Sequence, residues 1–110
     1  MKNNHSTEWI LQKIFALLFI LLFAYSIYLL SDVDLKNYSA TLKWFGNFWN
    51  SLVILLLIFS LIFHSNIGLS SIIDDYLHND ILKKRIIVLK NSFFITILFT
   101  TTFCLVSIIN

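Results

Sequence analysis

Three long apolar runs, each free of Asp, Glu, Lys and Arg over most of its length, organise this chain. The first lies between about Trp9 and Leu30, and its charge-free part, Ile14 to Leu30, is 17 residues. The second runs from about Phe48 to Ile73, and Ser51 to Ile73 alone is 23 residues without a charge. The third lies between about Ile86 and Ile109, with Asn91 to Asn110 uncharged over 20 residues. At ~1.5 Å per residue, helices of this length cross a hydrocarbon core of about 30 Å. The pattern predicts an all-α membrane protein with three transmembrane helices in a bundle, forming a single domain over residues 1–110. Ser31–Asn47 and Asp74–Arg85 read as the two connections. Trp44 and Trp49 stand at the start of the second span, where interfacial tryptophans belong. Lys13 and Lys90 lie near the ends of the first and third spans, close enough for their ammonium groups to snorkel to the membrane surface.

Charge orients the three spans. The amino tail and the second connection share a side of the membrane, and that side carries Lys2, Lys13, Lys83, Lys84, Arg85 and Lys90. The other side carries Lys36 and Lys43. This six-to-two asymmetry predicts an amino terminus inside, in cytoplasm or matrix, and a carboxyl terminus outside. The run Lys83-Lys84-Arg85 reads first as a topology signal, with anionic lipid headgroups as its natural neighbours.

Composition supports the membrane assignment. Of 110 residues, 58% are hydrophobic and 13% charged, against about 25% charged in a soluble domain. A mean hydropathy of +0.83 leaves too little polar surface to cover a water-exposed globule. A net charge of +2 gives no reason to expect a nucleic-acid partner. The single cysteine, Cys104, cannot form an internal disulfide and reads as a packed apolar side chain. No proline is present and there are two glycines, so no flexible linker divides the chain. The amino end lacks the pattern of a removable signal, because its apolar run is too long for a signal core, and it is not an Arg- and Ser-rich transit peptide. A bacterial protein, an organelle-made one or a mature form is expected. Much Phe, Ile, Leu, Asn and Lys with little Ala fits an AT-rich genome. Three helices alone bury few faces, so the chain is expected to be one part of something larger.

The candidate chemistry is in the second span. His64 interrupts an apolar run, and an intramembrane histidine is costly unless it is bonded or used. Two readings stand side by side: a bundle histidine satisfied by a carbonyl or serine, and a ligand to haem iron through a neutral imidazole. Eleven residues at ~100° make three turns and about 20°, so Asp75 shares the His64 face, as do Gly68 and Ser71. Gly68, one turn from His64, leaves a gap in which a porphyrin could pack, with Ser71 on the same face. His5 and His78 lie outside the spans, so a second axial ligand would come from a partner chain. Asp75 and Tyr76 close the run at the membrane surface. Together they offer a carboxylate and a phenol suited to holding a quinone oxygen and handling its protons.

The segment HSNIGLSSIIDDY, His64 to Tyr76, resembles the second-helix signature of the small hydrophobic membrane anchor of succinate dehydrogenase, respiratory complex II. That signature is His, three residues, Gly, six residues, then Asp-Tyr, and all four positions agree. Chain length, three spans and their orientation agree as well. The resemblance implies a cytochrome b small subunit that is not catalytic alone. It implies a share in passing electrons from succinate to ubiquinone, with succinate itself bound elsewhere. It implies that His64 is an axial ligand of haem b, with the second histidine on the companion anchor chain of the complex. It implies that Tyr76 hydrogen-bonds ubiquinone with Asp75 beside it. The implied partners are that companion anchor, the iron–sulfur subunit and the flavoprotein subunit. The implied location is the mitochondrial inner membrane or a bacterial plasma membrane. At the start of the first helix, Gln12-Lys13 stands where relatives often carry arginine, and lysine lacks the planar fork of that side chain. The competing readings are a small multidrug-type transporter, which needs a fourth span and an intramembrane carboxylate, and a non-catalytic assembly or pore subunit.

Overall fold

The computed structural model of the chain describes residues 5–110, and side chains from Ser6 onward. Lys2, one of the basic residues of the amino tail, lies outside the described residues. The elements are α1 (His5–Leu30), α2 (Tyr38–Gly46), α3 (Phe48–Tyr76) and α4 (Asp80–Ile109). Among the described residues there is no strand, and three helices, α1, α3 and α4, are long and apolar enough to cross a membrane. The 29 residues of α3 span about 43 Å at ~1.5 Å each, so its end turns project beyond the hydrocarbon core.

The two connections differ from the sequence expectation. The first contains α2, a short helix that begins where Asn37 Oδ1 accepts the Ala40 amide at 3.1 Å. Asparagine is among the preferred residues at this position because its side chain satisfies an otherwise unpaired helix amide. Trp44 holds α2 down: it is only 8% exposed, and its indole N–H donates to the Leu29 carbonyl at 3.1 Å. Asn50 Nδ2 donates to the Trp44 carbonyl at 3.0 Å, and the Trp49 indole N–H to the Tyr25 hydroxyl at 3.0 Å. The second connection shrinks to Leu77–Asn79. Asn79 Oδ1 accepts the amides of Ile81 and Leu82 at 3.0 and 3.2 Å, so α4 starts at Asp80 and carries Lys83, Lys84 and Arg85 in its first turns. Lys and Arg are good helix formers, so a charged run at a span boundary need not be a loop.

Helix α3 is central. It packs against α1 on one side and α4 on another, while α1 and α4 do not meet among the described residues. Helix α2 closes onto α3 and α4 at the end of the bundle where α1 finishes. Helix association in lipid depends on close packing of small side chains. Among the described residues Ser26, Ser51 and Ser60 are the buried polar ones, and each hydroxyl is satisfied by a backbone carbonyl: Ser26 by Leu22 at 2.8 Å, Ser60 by Leu56 at 2.9 Å, and Ser51 by Phe45. Polar ties join α3 to α4: Lys90 Nζ donates to Ser70 Oγ at 2.6 Å, and Lys83 Nζ pairs with Asp74 at 2.8 Å. Large apolar side chains such as Ile20, Leu21, Phe99 and Phe103 point outward, the surface that lipid or further helices would cover. Cys104 is exposed on α4 and is not the packed side chain expected from its apolar surroundings. Apolar sequence neighbours do not bury a residue on a helix that packs along one side only.

Candidate functional site

Helix α3 carries the candidate residues over its second half, and α1 decides what they face. His64 Nδ1 lies 3.0 Å from the backbone carbonyl oxygen of Gln12 on α1. A carbonyl can only accept, so Nδ1 bears the proton and donates, and in the neutral ring Nε2 carries the lone pair. No partner for Nε2 occurs among the described residues, which also contain no buried side-chain nitrogen or oxygen lacking a partner. Nε2 therefore reaches the surface of the chain, about 18 Å along α3 from Tyr76 at ~1.5 Å per residue. The carbonyl bond is the feature expected of a satisfied bundle histidine. It is equally the bond that orients a metal-ligating histidine, where the second ring nitrogen is held by a carbonyl or carboxylate. Both cases leave Nε2 open at the chain surface, within reach of a ligand or of a side chain from a partner. Phe63, next to His64, stacks on Phe15 of α1 with ring centroids 5.2 Å apart and meets Phe59 at 4.6 Å.

Gly68 faces α1 as well. A Cβ built on it would lie 3.1 Å from Gln12 Nε2, so the gap assigned from sequence to a porphyrin is spanned by the Gln12 amide. Ser71 is exposed and lines a cleft of about 650 Å³ between the start of α1 and α3, together with Trp9, Gln12 and Ile67. The stripe His64, Gly68, Ser71, Asp75 is thus crossed by α1 at its first two positions and open at the last two.

At the end of α3, adjacent aspartates have different surroundings. Asp74 is paired with Lys83, whereas Asp75 has no ion pair among the described residues. A carboxylate in the last turn of a helix meets the negative end of the helix dipole, a cost of about 0.3–1 kcal/mol when nothing offsets it. That turn carries no basic residue of its own. Tyr76 is 77% exposed, and its phenol makes no hydrogen bond within the described residues. The backbone that carries them is held at the helix end, because the Leu77 amide closes α3 onto the Ile73 carbonyl at 3.0 Å and α4 begins at Asp80. Lys13 Nζ turns back over the Trp9 ring, 5.7 Å from its centroid, in a cation–π contact. Lys84 and Arg85 make no ion pair among the described residues.

Among the described residues no three His, Cys, Asp or Glu side chains come together, so no side-chain cage for a bare metal ion is formed. A haem needs only one ligand from each side, and His64 has the tautomer and accessibility to be one. The family comparison decides among the remaining classes. A model of the succinate dehydrogenase/fumarate reductase transmembrane subunit matches residues 2–99. The chain belongs to that family. Comparison with individual curated proteins finds no match. A family transmembrane subunit with three spanning helices is a multi-pass membrane protein. The four-span transporter reading has neither its family nor, among the described residues, its fourth span. Gln12 is the residue that sequence reasoning missed. Its part depends on its main-chain carbonyl and on the α1–α3 register, which no local pattern encodes.

Proposed function

We propose that this chain is the small hydrophobic anchor, the cytochrome b small subunit, of a succinate:quinone oxidoreductase in a mitochondrial inner membrane or bacterial plasma membrane. The observation that carries the reading is His64 with Nδ1 committed to the Gln12 carbonyl and Nε2 open at the chain surface. His64 Nε2 would hold the iron of a b-type haem from this chain, and the companion anchor chain would supply the second ligand. The haem, when bound, supplies a one-electron store whose potential its ligands and burial tune. His64 holds its proton on Nδ1 and leaves Nε2 unprotonated for the iron. Tyr76 donates its phenolic hydrogen to a ubiquinone carbonyl oxygen, a bond that strengthens as negative charge grows there. Asp75, beside it and without an ion pair among the described residues, orders the hydrogen-bond network and takes part in delivering protons. The basic end of the bundle, where Lys84 and Arg85 make no ion pair among the described residues, faces inside and docks the iron–sulfur and flavoprotein subunits. Ser71, on the open part of the stripe, lines the approach to the haem face, while Gly68 is covered by the Gln12 amide.

The test is purification of the assembled complex through a tag on this chain. Flavoprotein and iron–sulfur subunits, a second anchor chain and a reducible b-type absorption band are expected together. Recovery of this chain alone, or with partners that carry no flavin, would overturn the reading.

A further inference from the structure

We infer that the main chain of α1 at Gln12 is the positioning element for His64, and that residue 68 is glycine to admit α1 rather than a porphyrin. The inference rests on the haem reading above and deepens it. The acceptor for His64 Nδ1–H is a backbone carbonyl, at 3.0 Å. A side-chain acceptor can rotate to follow an imidazole; a carbonyl inside a helix moves only when the helix moves. The orientation of the imidazole, and how strongly Nδ1–H is held, therefore follow the distance between α1 and α3. Gly68 lies one turn along α3, and the space its missing side chain leaves is taken by the Gln12 amide of α1. A methyl group at 68 would sit 3.1 Å from Gln12 Nε2, closer than ordinary van der Waals contact, so α1 or the amide must give by a few tenths of an ångström. The Phe15–Phe63 stack, 5.2 Å between centroids, holds the same two helices beside His64. Donation from Nδ1–H to a carbonyl raises the basicity of the ligating nitrogen and favours ferric iron. Weakening that bond therefore moves the haem potential upward.

Three variants of the whole complex separate the two uses of Gly68. Gly68→Ala is expected to shift the haem midpoint potential upward and alter the low-spin EPR signal, or to lose haem. Gln12→Ala keeps the carbonyl and is expected to stay near the wild-type potential. The double variant removes the amide that the new methyl group meets and is expected to return to the wild-type potential. A double variant as perturbed as Gly68→Ala would overturn the inference, since the methyl group would then be colliding with the haem. So would a Gly68→Ala complex identical to wild type in potential and EPR signal. If Gly68→Ala fails to assemble, assembly restored in the double variant supports the inference and failure in both opposes it. Failure of the haem reading is distinguishable from these outcomes. In a wild-type complex without haem, the Gly68→Ala loss of thermal stability and its recovery in the double variant would still report the α1–α3 contact.

Discussion

Removal of the Tyr76 hydroxyl is the most selective perturbation the site allows. The side chain is 77% exposed and its phenol has no hydrogen-bond partner among the described residues. Tyr76→Phe therefore removes no bond within the chain, and surface changes of this kind cost less than ~0.5 kcal/mol of stability. Helix α3 still ends at its capped turn, because the Leu77–Ile73 bond is untouched. The catalytic cost is different. A donor aimed at an oxygen that becomes negative contributes about 2–4 kcal/mol in a dry site. The open setting of Tyr76 on this chain places the expected loss at the lower end, about 2 kcal/mol or roughly 30-fold in rate. The assay compares two activities of the same membrane preparation: succinate oxidation with a ubiquinone analogue, and succinate oxidation with a water-soluble artificial acceptor. The first is expected to fall and the second to hold. If both fall together, the variant has damaged assembly; if neither falls, Tyr76 does not touch the quinone.

Other consequences follow from the packing and the charge asymmetry. Cysteines placed at Lys36 and Lys83 should be labelled by an impermeant reagent from opposite sides of the membrane, and labelling from one side would refute the orientation. Trp44→Phe should lower the thermal stability of the complex by about 1 kcal/mol, the usual net worth of a hydrogen bond, here the one to the Leu29 carbonyl at 3.1 Å. An unchanged melting temperature would show that α2 is not anchored this way. Ser60 is 2% exposed, so Ser60→Leu should destabilise by about 1–3 kcal/mol through overpacking, while Ser60→Ala stays close to neutral. Detergent-resistance curves for the two variants would distinguish this from a lipid-facing position, where both would be silent.

The spanning helices were legible because a charge-free run long enough to cross a bilayer has little place in a water-soluble fold. Their ends were less so. Lys83-Lys84-Arg85 reads as a loop by charge, yet Asn79 caps a helix that contains all three, and the cap was the better signal. The same signal at Asn37 marks α2, which hydropathy alone passes over because Lys43 and the flanking aspartates dilute the stretch. Trp44 reads as an interfacial anchor by position, but a tertiary bond to α1 buries it. The site divides in the same way. His64, Asp75 and Tyr76 stand out because a costly or reactive group lies at a regular spacing in an apolar helix. Gln12 does not, because a backbone carbonyl has no signature in a side-chain pattern. Gly68 was visible as a gap, but what fills it depends on how α1 lies against α3.

The central claim is that His64 Nε2 binds haem iron, and the direct measurement is the reduced-minus-oxidised spectrum and midpoint potential of assembled complex carrying His64→Ala, normalised to bound flavin. Loss of the low-spin b-type signal, or its conversion to a high-spin form, is the expected result. A normalised spectrum and potential unchanged from wild type would contradict iron ligation by His64.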